Sequence, residues 1–446
     1  MRKPKANPEF FKARRRRLAQ LIPNCCVILP AWPEYFRNAD TEHAYRPESN
    51  LYYLTGFEEA ESCLLFRPGK NPETVMFVRK KNPERETWDG FRYGVEGAKE
   101  TFGFDQTYAI DDFNKIAPEL MRGCERIYYK MFRNKQFDEH FAQAVTDMYG
   151  WRPKFGMGTP PIEDAHTVVG ELRIRKTEEE AEAMRRAASI SAEAHIAMMK
   201  ATKPGMTERA LHGLFIKEIM ERGAASESYG GIVASGNNAT TLHYRFNDAT
   251  IEAGQLLLVD CGAEFQYYAG DITRTYPVNG RFSVAQKRVY SKLLKLQKDL
   301  IDMVKPGALH ADLQKHTIQS VCQILVEEKA LTGTADEAYR SGAYTKYYPH
   351  GVSHLLGLDV HDAGVLLTRG EPRALEAGWA LTIEPGLYFP ANDTSLSPEY
   401  RGIGIRIEDN VVVTAEGCEV LTTGVPKEAD AIEALMAEPS FWSQSS

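Results

Sequence analysis

Four acidic residues and one histidine lie in short, strongly apolar stretches of the chain. Asp260 sits in LLLVDCG, Asp271 in AGDITRTYP, His354 in HGVSHLLGLDVHD, Glu384 in LTIEPGLYF and Glu408 in GIGIRIEDN. An ionised carboxylate buried without a partner is very costly, so such residues call for counter-charges. Converging on one spot, the five would form an oxygen-rich site for two divalent cations. Two such cations balance the charge of four carboxylates. Held ~3.5–4 Å apart, they lower the pKa of a water between them and clamp both attacking and leaving atoms. Oxygen donors with one imidazole suit Mn, Fe, Co or Zn, and the excess of carboxylate favours Mn. The chemistry expected is hydrolysis, most simply of an amide.

The elements around these residues must bring them together. Asp260 and Asp271 are eleven positions apart. A hairpin turning at Phe265-Gln266 would place them opposite one another, where Cβ atoms lie ~4.5–5.5 Å apart and like charges repel unless a cation bridges them. The turn Glu264-Phe265-Gln266-Tyr267 lacks an Asn-Gly type of signal. An ordinary hairpin with exposed acids is the bland alternative, and the flanking Val259 and Ile272 argue against it. Glu384 ends a buried strand before Pro385-Gly386, and Glu408 follows the apolar run from Ile403 to Ile407. Alone, either glutamate reads as a structural acid paired with, for example, Arg406. His350 and His354 have HxxxH spacing, but Gly351 and Gly357 disfavour a helix and no Glu follows His350. A loop with one ligand and two neighbouring imidazoles is expected instead. His243, His350, His354 and His361 are four of the eleven histidines.

Across its 446 residues the chain has ordinary globular composition, 43% hydrophobic and 26% charged. That length allows two or three domains, each with its own core. A net charge of -7 speaks against a nucleic-acid binder. The run Arg14-Arg15-Arg16-Arg17 reads as the solvated face of a helix capped by Asn7-Pro8; a localisation signal or nucleic-acid patch is the alternative. Seven cysteines without CxxC spacing suggest a reducing compartment and no disulfide framework. No apolar run approaches the ~18 residues of a membrane span, and there is no signal-peptide core, so a cytoplasmic protein is expected.

Residues 1–170 read as an α/β domain, with strands expected at Cys26–Leu29, Leu51–Leu54, Cys63–Phe66 and Thr74–Val78 and a helix at Phe137–Tyr149. Met157-Gly158-Thr159-Pro160-Pro161 is the candidate linker. Residues 171–446 read as an α+β domain with a faint internal repeat. A helix from Glu178 to Lys200, opened by a Thr177/Glu180 capping box, ends at Lys203-Pro204-Gly205 and a second helix begins near Thr207. The order recurs with a helix from Ser283 to Val304, Lys305-Pro306-Gly307, and a helix from Ala311. Strands are expected at 231–234, 255–260 and 271–276 after the first pair, and at 380–384 and 405–413 after the second. Two such copies could pack their sheets together with the site between them.

These residues resemble the Xaa-Pro aminopeptidase (aminopeptidase P) members of the "pita-bread" metallopeptidases. HGVSHLLGLDVHD is similar to the proline-peptidase signature, and DCGAEFQYYAGDITRTYP, TIEPGLYF and RGIGIRIED match further blocks in order. Arg46-Pro47-Glu48-Ser49-Asn50-Leu51-Tyr52-Tyr53-Leu54-Thr55-Gly56 looks like the family's N-terminal domain. The resemblance implies an N-terminal α/β domain and a catalytic pita-bread domain with pseudo-twofold repeat. It implies Asp260, Asp271, His354, Glu384 and Glu408 as metal ligands, with Asp271 and Glu408 shared between cations. Glu384 would also shuttle a proton. His243 and His361 would position substrate and stabilise developing charge, with His350 lining the pocket. Arg406 would orient ligand carboxylates, and Tyr388 would wall the cup for proline. It further implies a dimer or tetramer in which a loop, for which Trp88 is the candidate, reaches a neighbour's site. Prolidase, which cleaves Xaa-Pro dipeptides, shares all five ligands. Methionine aminopeptidase usually lacks the N-terminal domain; creatinase and the non-catalytic histone-chaperone modules lack the ligand set.

Overall fold

The computed structural model describes residues 7–149 and 159–439. It divides into two compact units, Met1–Leu172 and Arg173–Ser446.

The first unit is built on a six-stranded sheet in the order Gln106–Ala109, Thr74–Val78, Cys63–Phe66, Cys26–Pro30, Ile127–Tyr129 and Ile162–Glu163. The central pairings are antiparallel and the outer ones parallel. Every residue of Cys63–Phe66 and Thr74–Val78 is buried, as expected of strands covered on both faces. Three expected strands are present, and the expected helix spans Lys135–Tyr149. The fourth strand is not there, because Ser49–Thr55 is a helix. Glu48 caps it by accepting from the Leu51 N–H at 2.7 Å, and all seven residues are buried, so no polar face reveals the helical period.

The arginine run also departs from expectation. Arg14 and Arg15 are buried and donate to the Tyr53 and Leu54 carbonyls at 3.2 and 2.6 Å. They satisfy last-turn carbonyls of the Ser49–Thr55 helix, which lack intrahelical donors. Of the candidate linker, Met157 and Gly158 lie outside the described residues. Thr159–Pro161 lead straight into Ile162–Glu163, the last strand of this same sheet.

The second unit has two helix–helix–strand halves. Helices Glu178–Ala201 and Glu208–Glu221 begin at Thr177 and Thr207, and Val284–Met303 begins at Ser283. His310–Glu327 completes the second pair. The Thr177/Glu180 capping box is formed. In both copies the Lys-Pro-Gly turn places its glycine at positive φ, Gly205 at 90° and Gly307 at 87°, a conformation open to a residue without Cβ. The first half contributes the antiparallel sheet Ile232–Ser235, Leu256–Asp260, Thr273–Pro277. The second contributes the sheet Ala380–Ile383, Asp409–Val413, Cys418–Val420 and the hairpin Gly386–Phe389/Ile403–Arg406. One apolar core runs through both halves, from Leu211 and Phe215 to Leu300, Trp379 and Val411.

The run expected as one strand over 405–413 is two, Ile403–Arg406 and Asp409–Val413, in different sheets. The break falls at Ile407-Glu408, where the chain leaves the hairpin for the three-stranded sheet and lies against the first half. There the Glu408 N–H donates to the Thr273 carbonyl at 3.0 Å. The Thr275 hydroxyl donates to the Arg406 carbonyl at 3.0 Å and accepts from its N–H at 3.2 Å. The seam between halves is therefore hydrogen-bonded at the place where the candidate ligands cluster.

Candidate metal centre

Asp260 ends its strand opposite Thr273 rather than Asp271, so the pairing is shifted by two residues from that expected and the turn by one. The turn sits at Gln266-Tyr267, both at positive φ, and Asp271 lies two residues before Thr273, the partner of Asp260. The two aspartates still share one face, as diagonal rather than direct neighbours. The Tyr229 hydroxyl lies 2.5 Å from Asp260 Oδ1 and 2.6 Å from Asp271 Oδ1. His354 lies on an irregular segment laid along the edge of strand Ala380–Ile383. The Thr382 N–H donates to its carbonyl at 3.0 Å, and Leu355 forms a bridge to Leu381. Glu384 closes that strand, with Oε1 3.4 Å from His354 Nε2; Asp271 Oδ2 is 3.5 Å from the same nitrogen. Ligand atoms of Asp271, His354 and Glu408 all lie within 4.8 Å of one another. Glu408 accepts from the Thr273 hydroxyl at 2.6 Å.

All five residues line one cavity of about 640 Å³. Burial first, and then neighbouring carboxylates, pushes the Asp271, Glu384 and Glu408 carboxyls well above their ordinary range. Arg406 reaches in and donates to Asp260 Oδ2 at 2.6 Å, the closest cation to this group of acids. One guanidinium against four acids leaves a buried excess of negative charge, which divalent cations would neutralise. Burial lowers the pKa of His354 to about 4, so its imidazole is neutral near pH 7. Its Nδ1–H donates to the Leu355 carbonyl at 3.1 Å, which leaves the Nε2 lone pair facing the carboxylates. These donors fit a divalent-cation centre.

The remaining expected residues fall in different places. His243 and His361 are exposed at the cavity surface, and the His361 ring stands edge-on to His354 with centroids 4.4 Å apart. His350 lines the cavity, and burial followed by the charge of Arg406 lowers its pKa to about 4. Tyr388 is not among the lining residues. It lies behind them, its hydroxyl 2.8 Å from His350 Nε2 and accepting from Arg406 Nη1 at 2.9 Å. On strand Gly386–Phe389, opposite Gly404, it is 2% exposed and supports the wall rather than forming it. Trp88 belongs to the first unit. It sits near the end of helix Pro83–Asp89 rather than in a loop, because Asn82 caps that helix and Pro83 starts it, and its ring is 84% exposed.

Sequence reasoning missed Tyr229, Thr273 and the buried pair Arg274–Asp409. Arg274 Nη2 donates to Asp409 Oδ1 at 2.6 Å directly behind Glu408. Asp409 carried a signal of the same kind as the candidate ligands, since it falls between the apolar runs ending at Ile407 and beginning at Val411, whereas Arg274 is flanked by Thr273 and Thr275 and carried none. Tyr229 stands in a polar loop, and nothing local marks it.

Residues 182–415 match the model of metallopeptidase family M24, and residues 11–128 match the aminopeptidase P N-terminal domain. The chain is 36% identical to an Xaa-Pro aminopeptidase of Haemophilus influenzae, over 96% of this chain and 97% of the relative. The structure of Pseudomonas aeruginosa aminopeptidase PepP superposes with a TM-score of 0.93 at 41% identity, covering 97% of this chain and 99% of that one. Zn-substituted Escherichia coli aminopeptidase P in complex with product gives 0.91 at 36% identity, covering 97% and 98%. With its N-terminal domain, its pita-bread unit and this donor set, the chain belongs to metallopeptidase family M24, among the aminopeptidase P proteins.

Proposed function

We propose that the chain is a two-cation aminopeptidase that releases the first residue of peptides carrying proline at the second position. The observation that carries this reading is the convergence of Asp271, His354 and Glu408, with Glu384 and Asp260 beside them, in one cavity. Asp260, Asp271, His354, Glu384 and Glu408 would hold the cations, and Mn fits a set so rich in carboxylate. Bound there, they would lower the pKa of a water and polarise the scissile carbonyl.

The protein side chains supply the rest. Glu384 takes the proton from the water as its oxygen bonds to the carbonyl carbon. That proton passes to the proline nitrogen as the C–N bond breaks. His243 and His361, at the mouth, stabilise the charge that develops on the carbonyl oxygen. Arg406 holds Asp260 and, through Tyr388, steadies His350 against the proline ring. The reading includes a cytoplasmic location and self-association as a dimer or tetramer in which exposed Trp88 meets a neighbouring copy.

Peptide length tests it. Full-length protein given Mn(II) is expected to release Xaa from Xaa-Pro-Xaa peptides, to lose this activity on chelation and to regain it with Mn(II). Activity of metal-free enzyme would overturn the two-cation reading. Cleavage of Xaa-Pro dipeptides alone would make the chain a prolidase.

A further inference from the structure

The backbone of Asp271 is held from the opposite half of its unit. Its N–H donates to Asn410 Oδ1 at 2.9 Å, and its carbonyl accepts from Asn410 Nδ2. Asn410 is 1% exposed and lies on strand Asp409–Val413, 139 positions along the chain. In an antiparallel sheet, a residue of a hydrogen-bonded pair exchanges both backbone bonds with one partner residue. Here a side-chain amide takes that partner's place.

Hairpin geometry explains why. The Cys261 N–H bonds to the Ile272 carbonyl and the Gly270 N–H to the Ala263 carbonyl, so residues 270 and 272 point into the hairpin. Asp271, between them, directs its N–H and C=O outward, where a buried pair of polar groups requires partners. A carboxamide offers one acceptor and one donor in the spacing needed; a carboxylate would only accept.

Two residues before Asn410, the Glu408 N–H donates to the Thr273 carbonyl at 3.0 Å, and its carboxylate accepts from the Thr273 hydroxyl at 2.6 Å. Residues 271–273 and 408–410 are thus tied at both ends into one closed ring of covalent and hydrogen bonds. We infer that Asn410 is a positioning residue that sets the distance between the Asp271 and Glu408 carboxylates and so makes the site take up cations as a pair. This rests on the two-cation reading given above.

The test uses metal-stripped full-length protein titrated with Mn(II), following affinity by calorimetry and the exchange-coupled signal of a Mn pair by electron paramagnetic resonance. Asn410→Asp and Asn410→Ala are expected to weaken Mn(II) uptake by about 10–100-fold, as loss of a ligand's hydrogen-bond support does, and to give signals of isolated ions. Leu300→Ala, a cavity in the fully buried core of helix Val284–Met303, serves as a control for lost stability and is expected to keep both readouts. Asn410→Ser, a smaller polar side chain that leaves room for a water to bridge to Asp271, covers the case in which the other changes prevent folding, and is expected to fall between. Asn410 variants that bind two Mn(II) as tightly as wild type with the coupled signal intact would overturn the assignment. So would a loss no greater than that of Leu300→Ala. A wild-type chain that takes up no Mn(II) would overturn the two-cation reading, and this assignment with it.

Discussion

Under the proposed function, Glu384 would do two things: share in holding a cation and accept a proton. Its carboxylate lies 3.4 Å from His354 Nε2, and burial with the charge of Glu408 pushes its pKa well up. Glu384→Gln keeps the shape and one oxygen but removes the basic one. Turnover on an Xaa-Pro-Xaa peptide should fall by about 10²–10⁴-fold, the range for loss of a general base. Metal-free protein should at the same time unfold at an equal or higher temperature, since one of several mutually repelling buried carboxylates has gone. Normal turnover, or a metal-free variant less stable than wild type, would remove this double role. The arginines show the same logic with opposite sign. Arg14 and Arg15 are buried because carbonyls at a helix end receive them, a relation no run of charges discloses.

At the scale of elements, the hairpin carrying Asp260 and Asp271 breaks a local rule. Its turn residues Gln266 and Tyr267 have φ of 51° and 68°, positions that usually take Asn or Gly. Tertiary contacts hold it: the Tyr268 hydroxyl donates to Glu180 Oε1 at 2.9 Å, and Asn410 grips Asp271. The strands also close tightly, so that a Cβ on Gly262 would stand 1.7 Å from the Gly270 carbonyl oxygen. Gly262→Ala should therefore push the strands apart, costing about 3 kcal/mol or more, at the upper end for overpacking. Urea unfolding of the metal-free protein measures this. An unchanged midpoint would show that the hairpin has room the geometry denies.

The whole second unit is braced by buried charge. Burial alone would raise the Asp362 carboxyl, but Arg173 and Lys176 outweigh it and hold its pKa near 2. Lys176 Nζ donates to Asp362 Oδ2 at 2.8 Å, and Arg173 reaches both Asp359 and Asp362. Asp362 in turn bonds through its N–H to the Leu355 carbonyl at 2.9 Å, so the triad anchors the segment bearing His354 and His361 to the start of the unit. A folded-state pKa below the unfolded value of 3.8 contributes stability that is present above about pH 4 and is lost as pH falls through 2. The amount is about 2 kcal/mol for this fully buried group. Asp362→Asn should be destabilised at neutral pH, with Arg173 and Lys176 left without their shared acid. Its urea midpoint should fall less than that of wild type between pH 4 and 2. Parallel pH curves would place the acid sensitivity elsewhere.

Much of the site was legible in the sequence because burying charge is expensive: acids among Leu, Ile and Val announce a counter-charge before any fold is known. The capping box at Thr177 and the repeated Lys-Pro-Gly turns are equally local, and the helices they bound stand close to where they were expected. What only the tertiary structure decided depends on partners far along the chain. The register of the hairpin, the break at Ile407-Glu408, the helix at Ser49–Thr55, the place of Tyr388 behind the wall and the grip of Asn410 on Asp271 are all of this kind. Each turns on which backbone groups remain unsatisfied once the two halves meet, and that is a property of the meeting rather than of either segment.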